Sequence, residues 1–292
     1  MLPVPELAGR TAEQFVHELG ITELPVDPIA IAEEELGIHV EAKPVSRKGV
    51  SGMLLRLGEE YAIVYATHIR SEGFQRFSVA HEIGHFKLPG HIDHIFDGGK
   101  TVHESRAGFA SGDPYELEAD HYAASLLMPD PVFSKEMNRV GDGLEAIESL
   151  STACRTSLEA TAIRYVQRTD LPAAIILSAG QRINYCFMSD PLKEVEGLEW
   201  IRKGMPVPAG TATERFNADP ANVTAAERLD DTTSLMDWFG GEWDVQLEEE
   251  VKGLSSYGKT LTVLYSYEGF DPEGAEDNAN LEESYVPRFR KR

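Results

Sequence analysis

His81 and His85 stand four residues apart, with Glu82 beside the first, in the run His81-Glu82-Ile83-Gly84-His85. On a helix that spacing puts both imidazoles on one face, one turn apart, where they can grip a single ion. Zinc suits imidazole nitrogen, and with three protein ligands it keeps a fourth position for water, whose pKa it lowers to about 7. Glu82 is placed to hold that water and take its proton. The chemistry this pattern predicts is metal-assisted hydrolysis of a peptide bond. Five residues are too short a motif to stand alone, so a third ligand has to be found.

Glu116 and Asp120 supply the rest of the set. They are four apart on a second helical run, on the stripe continued by Ala123, Ala124 and Leu127. Carboxylates rarely face a core unless they are paired or bind metal. Glu116 is therefore expected as the third ligand, with Asp120 holding the free ring N–H of one histidine. Glu118 is the rival for Glu116, and its plainer role is a solvated face or a salt bridge. Among His91, His94, His103, Tyr115 and Tyr122, any could stabilise an oxyanion. Each also reads as an ordinary exposed polar residue, so none is assigned. Gly84 costs a helix about 1 kcal/mol relative to alanine, which suggests close approach of the second helix.

The elements that must carry these residues are legible in outline. Asp27-Pro28 opens a helix that Gly37 stops. Strand-like runs follow at 38–42, 52–57 and 61–65, the last two split by Gly58-Glu59-Glu60. From Gly73 the period turns helical through Phe74, Phe77, Ala80, Gly84 and Leu88, ending at Pro89-Gly90. A loop of about two dozen residues, rich in His, Gly, Asp and Ser, is expected next. A second helix covers Pro114 to Met128, and 131–168 reads as helical, with a helix-turn-helix rhythm inside it. After Asp170 the texture changes, with strands at 173–177 and 182–187, a long acidic stretch, and a strand within 259–267.

The 292 residues carry a formal charge of -22, which repels phosphate backbones. Between Arg139 and Asp170 four arginines face five acidic residues, so a basic recognition helix is missing and a structural module is favoured over direct DNA binding. Cys154 and Cys186 form no CxxC and read as reduced core thiols. The N-terminal run has no basic start or apolar core, and the apolar stretch at 172–177 is far short of the roughly 20 residues of a membrane span. A soluble, cytoplasmic protein with no membrane partner is the expectation.

HExxH followed by ExxxD, with Glu116 31 positions after His85, is the arrangement of the gluzincins. The runs RFSVAHEIGHFKLPGH (76–91) and YELEADHYAASLLMPDPVF (115–133), after PVDPIAIAEEELGIHV (25–40), closely resemble the ImmA/IrrE family of metallopeptidases over residues 10–168. The resemblance implies His81, His85 and Glu116 as metal ligands, Glu82 as catalytic base and Asp120 as the second motif's Asp/Asn. It also implies a regulatory protease that cuts a helix-turn-helix repressor and so switches on stress or mobile-element genes. Beyond 170, the strand order and the GMPVPAG segment (204–210) resemble the radiation-response branch, whose C-terminal domain is GAF-like, a fold often used to sense small ligands.

The expected architecture is α+β: a zincin-like peptidase domain over 1–138, a helix-turn-helix-like module over 139–170, a GAF-like α/β sensor over 171–270 and an acidic tail over 271–292. Zn2+ is the expected cofactor, although the same ligands accept Mn2+ or Fe2+ under suitable supply. A target segment is expected to add along an edge strand at Val50 to Leu57. The competing readings are a ligand-sensing regulator with a structural zinc, and a protein that binds a repressor without cutting it.

Overall fold

A computed structural model describes residues 5–44, 49–105, 113–241, 245–255 and 258–268. The acidic tail read at 271–292 lies outside them. The chain divides into two compact units, residues 1–168 and 169–292.

The first unit opens with helix α1 (Pro5–Glu18). Asp27 then caps the short helix α2 (Pro28–Ala30), its carboxylate accepting from the backbone N–H of Ile29 and Ala30. A wider π turn, Ile31–Glu35, carries the chain on, and Gly37 takes the left-handed conformation (φ +66°) that releases it into a strand. Strands β1 (His39–Lys43), β2 (Gly52–Leu57) and β3 (Glu60–Ala66) follow. Helix α3 (Glu72–Lys87) starts at the cap Ser71, and α4 (His91–Ile95), β4 (Val102–Ser105) and α5 (Pro114–Leu127) come after it.

These strands form a mixed sheet in the order β1-β3-β2-β4. β1 runs parallel to β3, while β2 is antiparallel to both β3 and β4. Two expectations change here. The segment after α3 is not simply a loop, because α4 and β4 lie within it. Sequence periodicity misses β4 because only four residues pair, and they are Val, His, Glu and Ser. Since β4 pairs with β2, the expected edge at 50–57 is interior, and among the described residues the sheet ends on β4.

Helix α3 lies between the sheet face made by β2 and β3 and helix α5, which α1 packs against in turn. Every residue from Arg76 to His85 is buried, so Arg76, His81, Glu82 and His85 are held in the interior. The core around them is built from Leu54, Ile63, Ile83, Tyr122 and Leu126. Helices α6 (Asp130–Met137), α7 (Gly143–Cys154) and α8 (Leu158–Val166) complete the unit. The turn between α7 and α8 passes through Arg155 in the left-handed region (φ +53°), and Ser157 caps α8.

The second unit is built on a five-stranded antiparallel sheet. Its strands are β5 (Ala173–Ala179), β6 (Arg182–Met188), β7 (Arg228–Ser234), β8 (Gln246–Gly253) and β9 (Thr260–Tyr265), in the order β6-β5-β9-β8-β7. Short helices α9 (Asp190–Lys193), α10 (Ala212–Asn217), α11 (Pro220–Thr224) and α12 (Leu235–Phe239) join them. All six residues of β9 are buried, as the central strand requires.

Among the described residues no helix is long and apolar enough to cross a membrane.

Candidate metal centre

Helices α3 and α5 approach closely because Gly84 lets them. A Cβ at Gly84 would stand 3.2 Å from the Tyr122 side chain and 3.3 Å from the Ala119 Cα. That contact sets Glu116 and Asp120 of α5 against the two histidines of α3. Asp113 caps α5, accepting from the Tyr115 N–H at 2.9 Å, with Pro114 at the first helical position.

One nitrogen of each histidine and one carboxylate oxygen of Glu116 lie within 4.8 Å of one another. His81 Nε2 and His85 Nε2 are 3.1 Å apart. Glu116 Oε2 is 3.3 Å from the first and Oε1 is 3.4 Å from the second. His81 and His85 are fully buried, and the Glu116 side chain is 12% exposed. Asp120 Oδ1 accepts from Nδ1–H of His81 at 2.8 Å, which leaves the His81 Nε2 lone pair aimed at His85 and Glu116.

Several electron-pair donors this close cannot all face one another without a cation among them. A proton or a metal ion satisfies the arrangement. Without metal the proton falls on His81: burial opposes its charge, but Asp120 and Glu116 outweigh burial and raise its pKa to about 10. Burial and the neighbouring His81 charge push His85 down to about 3, against the pull of Glu116. Burial pushes Glu116 up, yet His103, His81 and His85 together hold it far below the usual carboxylate range. The donor set of two imidazoles and a carboxylate fits a divalent cation.

Glu82 sits beside this cluster, fully buried, and neither carboxylate oxygen has a hydrogen-bond partner among the described residues. Burial raises its pKa, only partly offset by the neighbouring His81 and His103. A buried carboxylate with a raised pKa and unused acceptor capacity is suited to taking up a proton. Gly52 leaves room for it, since a Cβ there would lie 2.6 Å from Glu82 Oε1. Gly52 pairs with Ser105, so β2 and β4 wall the same side of Glu82.

Residues 33–165 match the sequence model of the IrrE N-terminal-like domain, a peptidase family. Over residues 33–165 the first unit thus carries a domain of the ImmA/IrrE metallopeptidase type. The radiation response metalloprotease IrrE of Deinococcus radiodurans is 30% identical over 105 residues, which are 36% of this chain and 31% of that protein. The chain thus spans about a third of the curated relative it matches. A Mycobacterium tuberculosis transcriptional regulator has a similar fold, with a TM-score of 0.56 at 14% identity over 89% of this chain and 76% of that one.

An ImmA/IrrE domain implies a divalent metal, and His81, His85 and Glu116 form the group of described residues able to hold one. The remaining sequence candidates separate clearly. Glu118 is not in the donor group and pairs with His91 Nε2 at 3.0 Å, the salt bridge rather than the solvated face of its two plainer readings. His91 is not an exposed polar residue. It is fully buried, with Nδ1 3.1 Å from Nδ1 of His85. His94 stacks on Tyr115, ring centroids 3.9 Å apart, at the surface. Tyr122 is spent on packing against Gly84. His103, on β4, brings Nε2 to 3.0 Å from Glu116 Oε1 without hydrogen-bond alignment.

The contact between His91 and His85 is the feature sequence reasoning missed. Pro89-Gly90 after the helix was its only trace, since a glycine at φ +82° is what turns the chain back.

Proposed function

We propose that this chain is a zinc-dependent endopeptidase that cleaves a helix-turn-helix repressor in the cytoplasm and so derepresses stress or mobile-element genes. The observation that carries the proposal is the convergence of His81, His85 and Glu116 beside Glu82, a buried carboxylate with both oxygens uncommitted. Zn2+ is the assigned metal because two imidazoles and one carboxylate match its usual hydrolytic donor set, and Mn2+ can substitute.

When bound, the cation supplies Lewis-acid polarisation of the scissile carbonyl and acidifies water. The protein supplies the rest. Glu82 holds the attacking water, accepts its proton and returns it to the leaving amine. Asp120 keeps His81 in the tautomer that leaves Nε2 free. β4, at the end of the sheet, offers its backbone to an extended target segment, in place of the β2 edge expected from sequence. His103 on that strand is positioned to donate to a developing oxyanion.

The α7–α8 pair supports a helix-turn-helix-like module that packs rather than reads DNA, consistent with the charge of -22. The five-stranded antiparallel sheet with its short helices supports a GAF-like sensor for a small ligand over residues 171–270.

Glu82→Gln is the test. It should retain metal and lose cleavage of the repressor encoded beside this gene by about 10²–10⁴-fold. Unchanged cleavage by the variant sinks the mechanism. An intact repressor held in a stable complex with the parental protein would instead favour binding without cutting.

A further inference from the structure

His81 and His85 are secured by different means. Behind His81 stands a carboxylate, Asp120. Behind His85 stands a second imidazole, His91, whose far nitrogen meets the Glu118 carboxylate. The hydrogens of this second chain can be placed by counting donors and acceptors. A carboxylate only accepts, so His91 Nε2–H donates to Glu118 Oε2 across 3.0 Å. In neutral His91 that leaves Nδ1 with a lone pair, and across 3.1 Å it can only accept. His85 must then carry its hydrogen on Nδ1 and donate, which leaves the Nε2 lone pair facing His81 and Glu116.

We infer that His91, backed by Glu118, is a positioning residue that fixes His85 in the Nδ1–H tautomer and so prepares Nε2 as a metal donor. The inference rests on the metal-site reading above. The surrounding structure is built for it. His91 is the first residue of α4, and Gly90 before it has φ +82°, the left-handed turn that folds α4 back over α3. His91 is fully buried and the Glu118 side chain nearly so, at 12% exposed, which keeps water from replacing either bond. Glu118 sits two residues from Glu116 on α5. One helix therefore carries both the third donor and the anchor of the second histidine.

The test uses the full chain. Imidazole nitrogen NMR on the 15N-labelled, chelator-treated protein should show His85 Nδ1 protonated and Nε2 bare of hydrogen, and His91→Ala should weaken that preference. The opposite tautomer overturns the proposal. Zinc affinity, read by competition with a chromophoric chelator, should fall about 10- to 100-fold in His91→Ala. His91→Asn, whose side-chain oxygen can occupy the place of Nδ1, should recover most of that loss. A folded His91→Ala that binds zinc as tightly as the parent overturns the positioning role and leaves the metal site standing. A parental protein that binds no zinc overturns the metal reading itself. Should His91→Ala fail to fold, Glu118→Gln decides, with a loss of about tenfold expected, because a neutral amide oxygen accepts from His91 more weakly than the carboxylate does. No change in either zinc affinity or His85 nitrogen shifts in that variant also overturns the proposal.

Discussion

Gly52 of β2 and Glu82 of α3 fit together so closely that a Cβ on the glycine would stand 2.6 Å from Glu82 Oε1 and 3.4 Å from its Cδ. The atom it would strike is the end of a side chain, so the fold can yield by moving the carboxylate. Gly52→Ala should consequently leave the melting temperature close to the parental value and leave zinc binding intact, since Glu82 is not among the three donors. Cleavage should fall about a hundredfold, the scale of loss when a catalytic group moves by about 1 Å. Parallel zinc titration and peptidase assay separate the two effects.

The contact at Gly84 is of the other kind. Its Cβ would press on the Tyr122 side chain and on the Ala119 Cα, so a helix rather than a side-chain tip would have to move. Alanine gains about 1 kcal/mol of helix propensity there, while overpacking costs about 1–3 kcal/mol. Gly84→Ala should lower stability by about 1 kcal/mol, and Gly84→Val by more. Because the same contact places Glu116 and Asp120, zinc affinity should fall as well. Urea denaturation with and without zinc measures both.

The sequence made the α3–α5 half of this site readable because helical periodicity is local. Four-residue spacing places His81 with His85 and Glu116 with Asp120 before any tertiary contact is known. Core-facing carboxylates, being costly to bury alone, announce that they have partners. The His85–His91–Glu118 chain depends instead on a left-handed turn at Gly90 and on which face of α5 meets it, and neither has a period to detect. β4 was hidden for a related reason. A four-residue strand is recognised by what it pairs with, and its pairing with β2 moved the sheet edge away from 50–57.

Charge on His81 and metal at the same nitrogen exclude each other. With its pKa raised to about 10 in the metal-free site, His81 must release a proton when a cation binds at neutral pH. Apparent zinc affinity should rise by about tenfold per pH unit between about pH 7 and pH 10 and then level off. Calorimetry in buffers of different ionisation enthalpy should count about one proton released. Asp120→Ala removes one of the two carboxylates that hold this proton, so the release at pH 8 should shrink even as affinity weakens. In the stripped protein, stability gained from the raised pKa is fully present below about 6.5 and is lost as pH rises through about 10. The stripped protein should therefore melt at lower temperature at pH 10 than at pH 7 by more than the zinc-loaded one does.

The second unit offers a test of its own fold in Glu249. This carboxylate is fully buried on β8 and accepts from the backbone N–H of Ala212 at 3.0 Å and of Thr213 at 2.8 Å, and from the Thr213 hydroxyl at 2.7 Å. It thus binds the first turn of α10 to the sheet. Asn217, at the other end of α10, donates to Ser178 Oγ and to the Gly180 carbonyl, and accepts from the Thr260 hydroxyl. Glu249→Leu would strand two buried N–H groups, each costing about 1–3 kcal/mol, so a loss of about 2–5 kcal/mol is expected. Glu249→Gln keeps an acceptor of the same reach and should cost about 1 kcal/mol. The three tryptophans, Trp200, Trp238 and Trp243, all fall in the second unit's stretch of sequence. Urea denaturation followed by tryptophan fluorescence therefore reports this unit, and a Glu249→Leu midpoint equal to the parental one would refute the anchoring role.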